Sequence, residues 1–226
     1  MKKVAICIIS GGMDSALAAQ IAKNDGYNIV GVHFNYGQRT QQKELEAFKK
    51  IANDLNATAT HIIDLDFFNQ IGVNALTDKT IEVPTDGIKP GVPITYVPFR
   101  NGIFLSIAAA VAQKYNADAI YIGVVEEDSS GYPDCRESFI DAINKAINLG
   151  LNDNPIKIKT PLIHLTKGDI VKKALELGVK LEHTWSCYKS EDEACGVCDS
   201  CRLRLKGFKE AGVTDPIKYK QIPKDI

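Results

Sequence analysis

The opening of the chain constrains it most. An apolar run from Val4 to Ile9 stops at Ser10-Gly11-Gly12-Met13-Asp14-Ser15, and the residues that follow place Leu17 and Ile21, and also Ala18 and Ala22, four apart. An uninterrupted apolar strand suits a parallel sheet covered on both faces, and the four-residue spacing is one stripe of a helix. A glycine-rich loop between such a strand and such a helix is a place for an anion. The amino end of a helix carries unpaired N–H groups and partial positive charge, and glycines let the anion approach the backbone. A Walker loop would need a Lys after its second glycine, and here Met13, Asp14 and Ser15 follow Gly12. An ordinary turn in which Ser10 and Asp14 only cap the helix is the plainer alternative.

The rest of the chain continues the alternation. Asn28 to Phe34 reads as a strand, Gln41 to Leu55 as a helix with Leu45, Phe48, Ala52 and Leu55 on one face, and Thr60 to Leu65 as a third strand. A connection from Thr77 to Pro98 is long enough to be a lid or binding loop. A helix over Asn101 to Tyr115, a strand over Ala119 to Val125 and a helix over Glu137 to Leu149 follow. Thr166 and Asp169 form a capping box for a helix ending at Leu177. This is the pattern of an α/β, doubly wound, mainly parallel sheet, in which ligands bind beyond the carboxyl ends of the strands. Ser10 to Ser15, Asn35 to Arg39 and Glu126 to Arg136 should emerge there. Within those loops and at the start of the third helix, Gln38, Arg39, Arg100, Asn101, Glu126, Glu127, Asp128, Asp134 and Arg136 can grip a polar heterocycle and a carboxylate, or can be solvated charges and caps.

Cys187, Cys195, Cys198 and Cys201 are separated by seven, two and two residues. That spacing suits a four-thiolate structural zinc site, with Gly196 in the turn and Arg202, Arg204 and Lys206 offsetting the thiolate charge. An iron–sulfur cluster or a disulfide pair are the alternatives. Cys7 lies inside the first strand and reads as core, and Cys135 reads as a packed thiol. With 27 basic and 28 acidic residues the chain shows no bias toward a polyanionic partner, and no segment is long and apolar enough for a membrane span or a secretory leader. The expected location is the cytoplasm.

Ser10 to Ser15 resembles the SGGxDS signature of the ATP pyrophosphatases, which cut ATP between its α and β phosphates and transfer AMP to a substrate oxygen. Together with YGQR, VPFRN, SGYPDCRESF, LTKGDIV and WSCYKS…CGVCDSC, in order along nearly the whole chain, it is similar to the 7-cyano-7-deazaguanine synthase family of queuosine and archaeosine biosynthesis. The resemblance implies an adenine nucleotide alpha hydrolase-like fold. It implies a ligase that converts 7-carboxy-7-deazaguanine and ammonia to the nitrile with ATP, Mg²⁺ and one structural Zn²⁺. Residues 1–164 would form the nucleotide-binding domain and 165–226 a helical zinc-binding region, in a chain compatible with a homodimer and with no direct nucleic-acid partner. Ser10, Gly11, Gly12, Asp14, Ser15, Gln38 and Arg39 would face ATP. Arg100, Asn101, Glu126, Asp128 and Asp134 would face the substrate, with Asp14, Ser15, Arg100, Asp134 and Arg136 in catalysis and the four cysteines on the metal. Phe99 departs from the pattern: the family usually has Gly there, so a changed pocket wall or loop path is expected. A tRNA sulfurtransferase of the same superfamily or a non-catalytic zinc module that binds nucleic acid are the rival readings; the first needs a persulfide-carrying cysteine, for which only Cys135 is available.

Overall fold

The computed structural model of the protein describes residues 3–71, 73–87, 89–126, 131–152, 154–224 and 226. Five strands, β1 (Val4–Ile8), β2 (Asn28–Asn35), β3 (Ala59–Asp64), β4 (Ala119–Tyr121) and β5 (Lys157–Lys159), form one all-parallel sheet in the order β3-β2-β1-β4-β5. The order turns back on itself at β1, so the loops after β1 and β4 splay apart and open a crevice.

Successive residues of β1 point to opposite layers, as the pleat requires. Ala5, Cys7 and Ile9 pack against Ala16, Ala19 and Ala22 of α1 (Met13–Asn24) and Phe48 and Ile51 of α2 (Gln41–Asp54). Ile6 and Ile8 pack with Phe104, Leu105 and Ala108 of α3 (Arg100–Tyr115) and Ile140 of α4 (Glu137–Gly150). The small residues of α1 let that helix lie close to the sheet, which fixes the loop in front of it. The last two helices, α5 (Lys167–Glu176) and α6 (Asp199–Ala211), share a core with α1 built from Met13, Leu17, Ile170, Val171 and Phe208.

Two elements differ from the sequence expectation. β4 ends at Tyr121 although its apolar run continues, and residues 122–125 instead line the cavity. Gly123 lies directly on the Asp14–Ser15 peptide, where an added Cβ would be 2.7 Å from backbone atoms, so the chain here serves as a wall. β5, only Lys-Ile-Lys, carries too little apolar pattern to be read from sequence. The connection from Thr77 to Pro98 contains turns and no strand or helix among its described residues, and Val83 of it packs with Trp185, Cys187, Cys198 and Cys201.

Candidate functional site

A cavity of about 230 Å³ opens where β1 and β4 diverge. Its floor is the loop after β1. Gly11 has φ +98°, and a Cβ on it would meet the Glu44 carbonyl oxygen at 2.7 Å, so only glycine fits between the loop and α2. Ser15 braces the loop: its Oγ accepts from the Ser10 N–H at 3.2 Å and donates to the Gly12 carbonyl at 2.9 Å. No side chain caps α1, so neither Ser10 nor Asp14 is there as a helix cap. The first-turn N–H groups of α1 are thus left for a ligand.

Asp14 meets Lys167 at 2.6 Å across the cavity. Lys167 heads α5, whose capping box is formed by Thr166 and Asp169. Gly207 makes room for it, since a Cβ there would lie 2.8 Å from the Lys167 carbonyl oxygen. The other carboxylate oxygen of Asp14, Oδ1, is buried without a hydrogen-bond partner. Lys167 is a cavity residue that the sequence pattern does not single out, although LTKGDIV places it at the first position of a capped helix.

Arg100 forms the opposite wall. Its guanidinium sits over the rings of Tyr36, Phe104 and Tyr132 at 5.6, 5.8 and 5.9 Å. It donates to the Tyr36 hydroxyl at 3.2 Å, and its Nε is buried with no partner. A cation boxed by rings, with no carboxylate in ion-pair contact among the described residues, is a ready site for an anionic ligand. Asp134 and Asn101 fix the start of α3, from which it projects. Asp134 Oδ2 accepts from the Asn101 N–H at 2.8 Å, and the Asn101 amide donates to the Asp134 carbonyl and to Cys135 Sγ, both at 3.3 Å. Burial pushes the Asp134 carboxyl above its ordinary range and the Cys135 thiol up to about 12.

Ser10, Gly12, Asp14, Ser15, Arg100 and Asn101 therefore line one cavity, and Asp134 stands behind Asn101. Other residues named from sequence are employed elsewhere. Arg39 donates to the carbonyls of Ala75, Asp78 and Ile81, fastening the connection after β3. Gln38 braces the Tyr36 N–H and donates to Glu44. Glu126 accepts from the Glu137 N–H at the head of α4, and Arg136 is exposed at the same helix end. Glu127 and Asp128 lie outside the described residues. Phe99 is not part of the cavity wall: it takes φ +54°, its ring lies over Gly102, and it meets Phe139 edge-on at 5.6 Å. Glycine takes a left-handed backbone without strain, and the loop follows that path here with Phe in place.

The four cysteines converge, with their sulfur atoms within 4.8 Å of one another and no disulfide among them. Three soft ligands from one knuckle and a fourth from a separate segment suit a tetrahedral metal. Backbone N–H groups of Lys189 and Cys195 donate to Cys187 Sγ, and Gly196 turns at φ +80° where a side chain would strike the Gln221 carbonyl. Arg204 does not offset the thiolates. It is buried, grips Asp215 with two nitrogens at 2.6 and 2.9 Å, and bonds Thr184 Oγ1. The cysteine-bearing segment lines the cavity itself through Trp185, Ser186 and Tyr188; the Trp185 N–H donates to the Gly11 carbonyl at 2.8 Å, and Thr40 Oγ1 stands 3.1 Å from the Cys187 carbonyl oxygen.

A glycine-rich loop at the crevice of an all-parallel sheet, facing Lys167 and Arg100 across one cavity, defines an α/β protein of the doubly wound class, whose ligands bind beyond the carboxyl ends of its strands. Solved structures share the fold. A 4-thiouridine synthetase bound to RNA and ATP superposes with TM-score 0.54 at 19% identity, covering 93% of this chain, which spans 50% of that one. A predicted subunit of a tRNA methyltransferase from Methanocaldococcus jannaschii gives 0.51 at 22% identity, covering 99% of this chain and 94% of that one. The family model for queuosine biosynthesis protein QueC matches residues 4–212, and the chain belongs to that family. It is 67% identical over 222 residues to the 7-cyano-7-deazaguanine synthase of Sulfurovum sp. (strain NBC37-1), covering 98% of this chain and 100% of that protein. It is also 67% identical over 218 residues to the enzyme of the same name from Campylobacter fetus subsp. fetus, covering 96% and 98%.

Proposed function

We propose that the chain is an ATP-dependent ligase that converts 7-carboxy-7-deazaguanine and ammonia to 7-cyano-7-deazaguanine through an adenylated acid, an amide and an adenylated amide. The observation that carries this reading is 67% identity to a synthase of that name over 98% of the chain. The cavity supports it. A carboxylate is a poor acceptor for ammonia, because oxide is a poor leaving group, and transfer of AMP supplies a good one. The same site then activates the amide oxygen, and loss of AMP leaves the nitrile.

Ser10, Gly12 and Ser15 surround the departing pyrophosphate, Gly11 seats their loop against α2, and Lys167 balances the charge. Arg100 holds the substrate carboxylate while the aromatic side chains around it flank the flat heterocycle. Asn101 and Asp134 fix the start of α3, from which Arg100 projects. Asp14 Oδ1, buried and unpartnered, is the atom that would hold Mg²⁺, which when bound offsets phosphate charge. The four cysteines would hold one structural Zn²⁺. Residues 1–164 serve as the nucleotide-binding unit and 165–226 as the zinc-bearing one, joined across that boundary by the Asp14–Lys167 and Trp185–Gly11 contacts. The substrates are small molecules met in the cytoplasm, and the near-zero net charge gives no electrostatic pull toward a polyanionic partner. The buried Cys135 thiol, pushed up to about 12 and bonded by Asn101, is poorly suited to carry a persulfide, which argues against the sulfurtransferase alternative.

The test is incubation with ATP, ammonium and the deazaguanine acid. AMP, pyrophosphate and a nitrile mass are expected; ADP and phosphate, or no ammonium-dependent product, would overturn the reading.

A further inference from the structure

The carboxylates at this site are unequally employed. Asp14 is paired with Lys167, and Asp134 is used on the amino end of α3. Glu44 is different. It rises from the first turn of α2, with its backbone carbonyl against Gly11, and reaches the cavity wall together with Tyr36 and Arg100. Its two oxygens accept hydrogen bonds from neutral donors, Thr40 Oγ1 at 2.8 Å and Gln38 Nε2 at 3.2 Å. Gln38 is itself fixed, since its Oε1 accepts from the Tyr36 N–H at 2.8 Å. No cation is within ion-pair distance of Glu44 among the described residues. An oriented carboxylate on a cavity wall, with lone pairs to spare, is built to accept N–H groups or a proton from a ligand.

We propose that Glu44 is the ammonium-binding group and proton acceptor of the amide-forming step. The inference rests on the ligase reading above. Ammonium, the dominant form at neutral pH, has no lone pair with which to attack. Transfer of one of its protons to the Glu44 carboxylate gives ammonia, whose lone pair forms the C–N bond. The acyl C–O bond to the phosphate breaks, and AMP departs with that electron pair. The second surplus N–H proton passes to solvent, as does the proton held by Glu44, which restores the carboxylate. Burial pushes the Glu44 carboxyl up to about 7, where it can take and release a proton without a large penalty in either direction. The charged and titratable groups facing it are Arg100 and Tyr36 from the cavity side and Glu191 from the metal-bearing segment; Lys43 of its own helix lies over the Trp185 ring.

The test compares wild type with Glu44→Gln in two assays. One is acid-dependent exchange of labelled pyrophosphate into ATP, which uses no ammonium. The other is nitrile formation against ammonium concentration at several pH values. Glu44→Gln should keep the exchange within about threefold and raise the KM for total ammonium at neutral pH by about tenfold or more. The defect should shrink when the pH is raised by about two units, which increases the free ammonia fraction by up to about a hundredfold. Loss of exchange with a raised KM for ATP would overturn the proposal and make Glu44 a nucleotide contact. A raised KM for the acid with unchanged ammonium dependence would overturn it in favour of a carboxylate that reads the heterocycle edge. If Glu44→Gln does not fold, Glu44→Asp, which keeps the charge but withdraws it, must show the same ammonium-specific defect or the proposal fails. Wild type that makes no ammonium-dependent nitrile would refute the ligase reading instead.

Discussion

The Asp14–Lys167 pair joins folding to chemistry, and a double-mutant cycle can separate the two. The groups are 2.6 Å apart; the lysine side chain is 8% exposed and the aspartate 28%. Removing one partner of a fully buried pair costs about 3–5 kcal/mol, because the other is left charged and uncompensated. Asp14 keeps contact with water through the cavity, so Lys167→Met should cost less, about 1–2 kcal/mol after that screening. Asp14→Asn takes the carboxylate away from the better-buried ammonium and should cost about 2–4 kcal/mol. For a chain of this length each kcal/mol lowers Tm by about 2–4 °C, so the two single variants should separate by a few degrees in a melting experiment. Combining them removes both charges, and the double variant should recover about 1–3 kcal/mol relative to the sum of the single losses. Activity should not recover: AMP formation should stay down by about a hundredfold or more in every variant lacking Lys167, as expected when a positive charge beside the developing pyrophosphate is lost. Additive losses in Tm would show that the pair does not couple in the folded state. Wild-type AMP formation by Lys167→Met would remove the lysine from the phosphate site.

Phe99 holds a left-handed backbone at a cost of about 1–2 kcal/mol relative to glycine, offset by an edge-on contact with Phe139 of about 0.5–1.5 kcal/mol. Phe99→Gly should therefore be nearly neutral in Tm and active, whereas Phe99→Val, β-branched and without the ring contact, should melt several degrees lower; the reverse order would refute the strain argument. Cys198→Ser, or a strong chelator, should increase proteolysis between residues 185 and 205 and weaken ATP binding through the Trp185–Gly11 bond. Full ATP affinity in a metal-free protein cleaved in that segment would show the two regions to be independent. The Glu44 carboxyl is raised from 4.5 to about 7, so between those values the folded state holds a proton that the unfolded chain has released. That contribution to stability is lost as pH rises through the window, and Glu44→Gln, which cannot ionise, should be the more stable protein at pH 8 by about 3 kcal/mol with the gap closing toward pH 4. A gap that grows on acidification would refute the sign.

Where chemistry lay inside a regular pattern, the sequence could be read. β1, its loop and α1 follow from one apolar run, two glycines and a four-residue spacing, and the cysteine knuckle follows from its own spacing. Gln38 and Arg39 stand at the predicted strand end, yet their side chains bond to α2 and to residues 75–81, whose approach depends on the whole connection after β3. Glu126 and Asp134 read as substrate contacts from their loops, and the structure shows each accepting a backbone N–H group at the heads of α4 and α3. Lys167 and Glu44 had the opposite problem. Each looks like a surface charge in the first turn of an amphipathic helix, and only the convergence of distant segments places them on the cavity. A local pattern records periodicity and caps; it carries no information about which far part of the chain arrives opposite.

The contacts that complete the cavity are among the longest in the chain: Asp14 meets a partner 153 positions away, and Thr40 one 147 positions away. On the ribosome, the sheet strands and the phosphate loop emerge long before the segment that closes over them. For that interval the nascent chain holds a parallel sheet with its crevice unroofed, exposing Met13 and Leu17 of α1, which α5 and α6 later cover. A ligand that needs both the loop after β1 and Lys167 would act as a selector of finished molecules, and the slow step of maturation would be the arrival of the carboxyl-terminal quarter rather than assembly of the sheet.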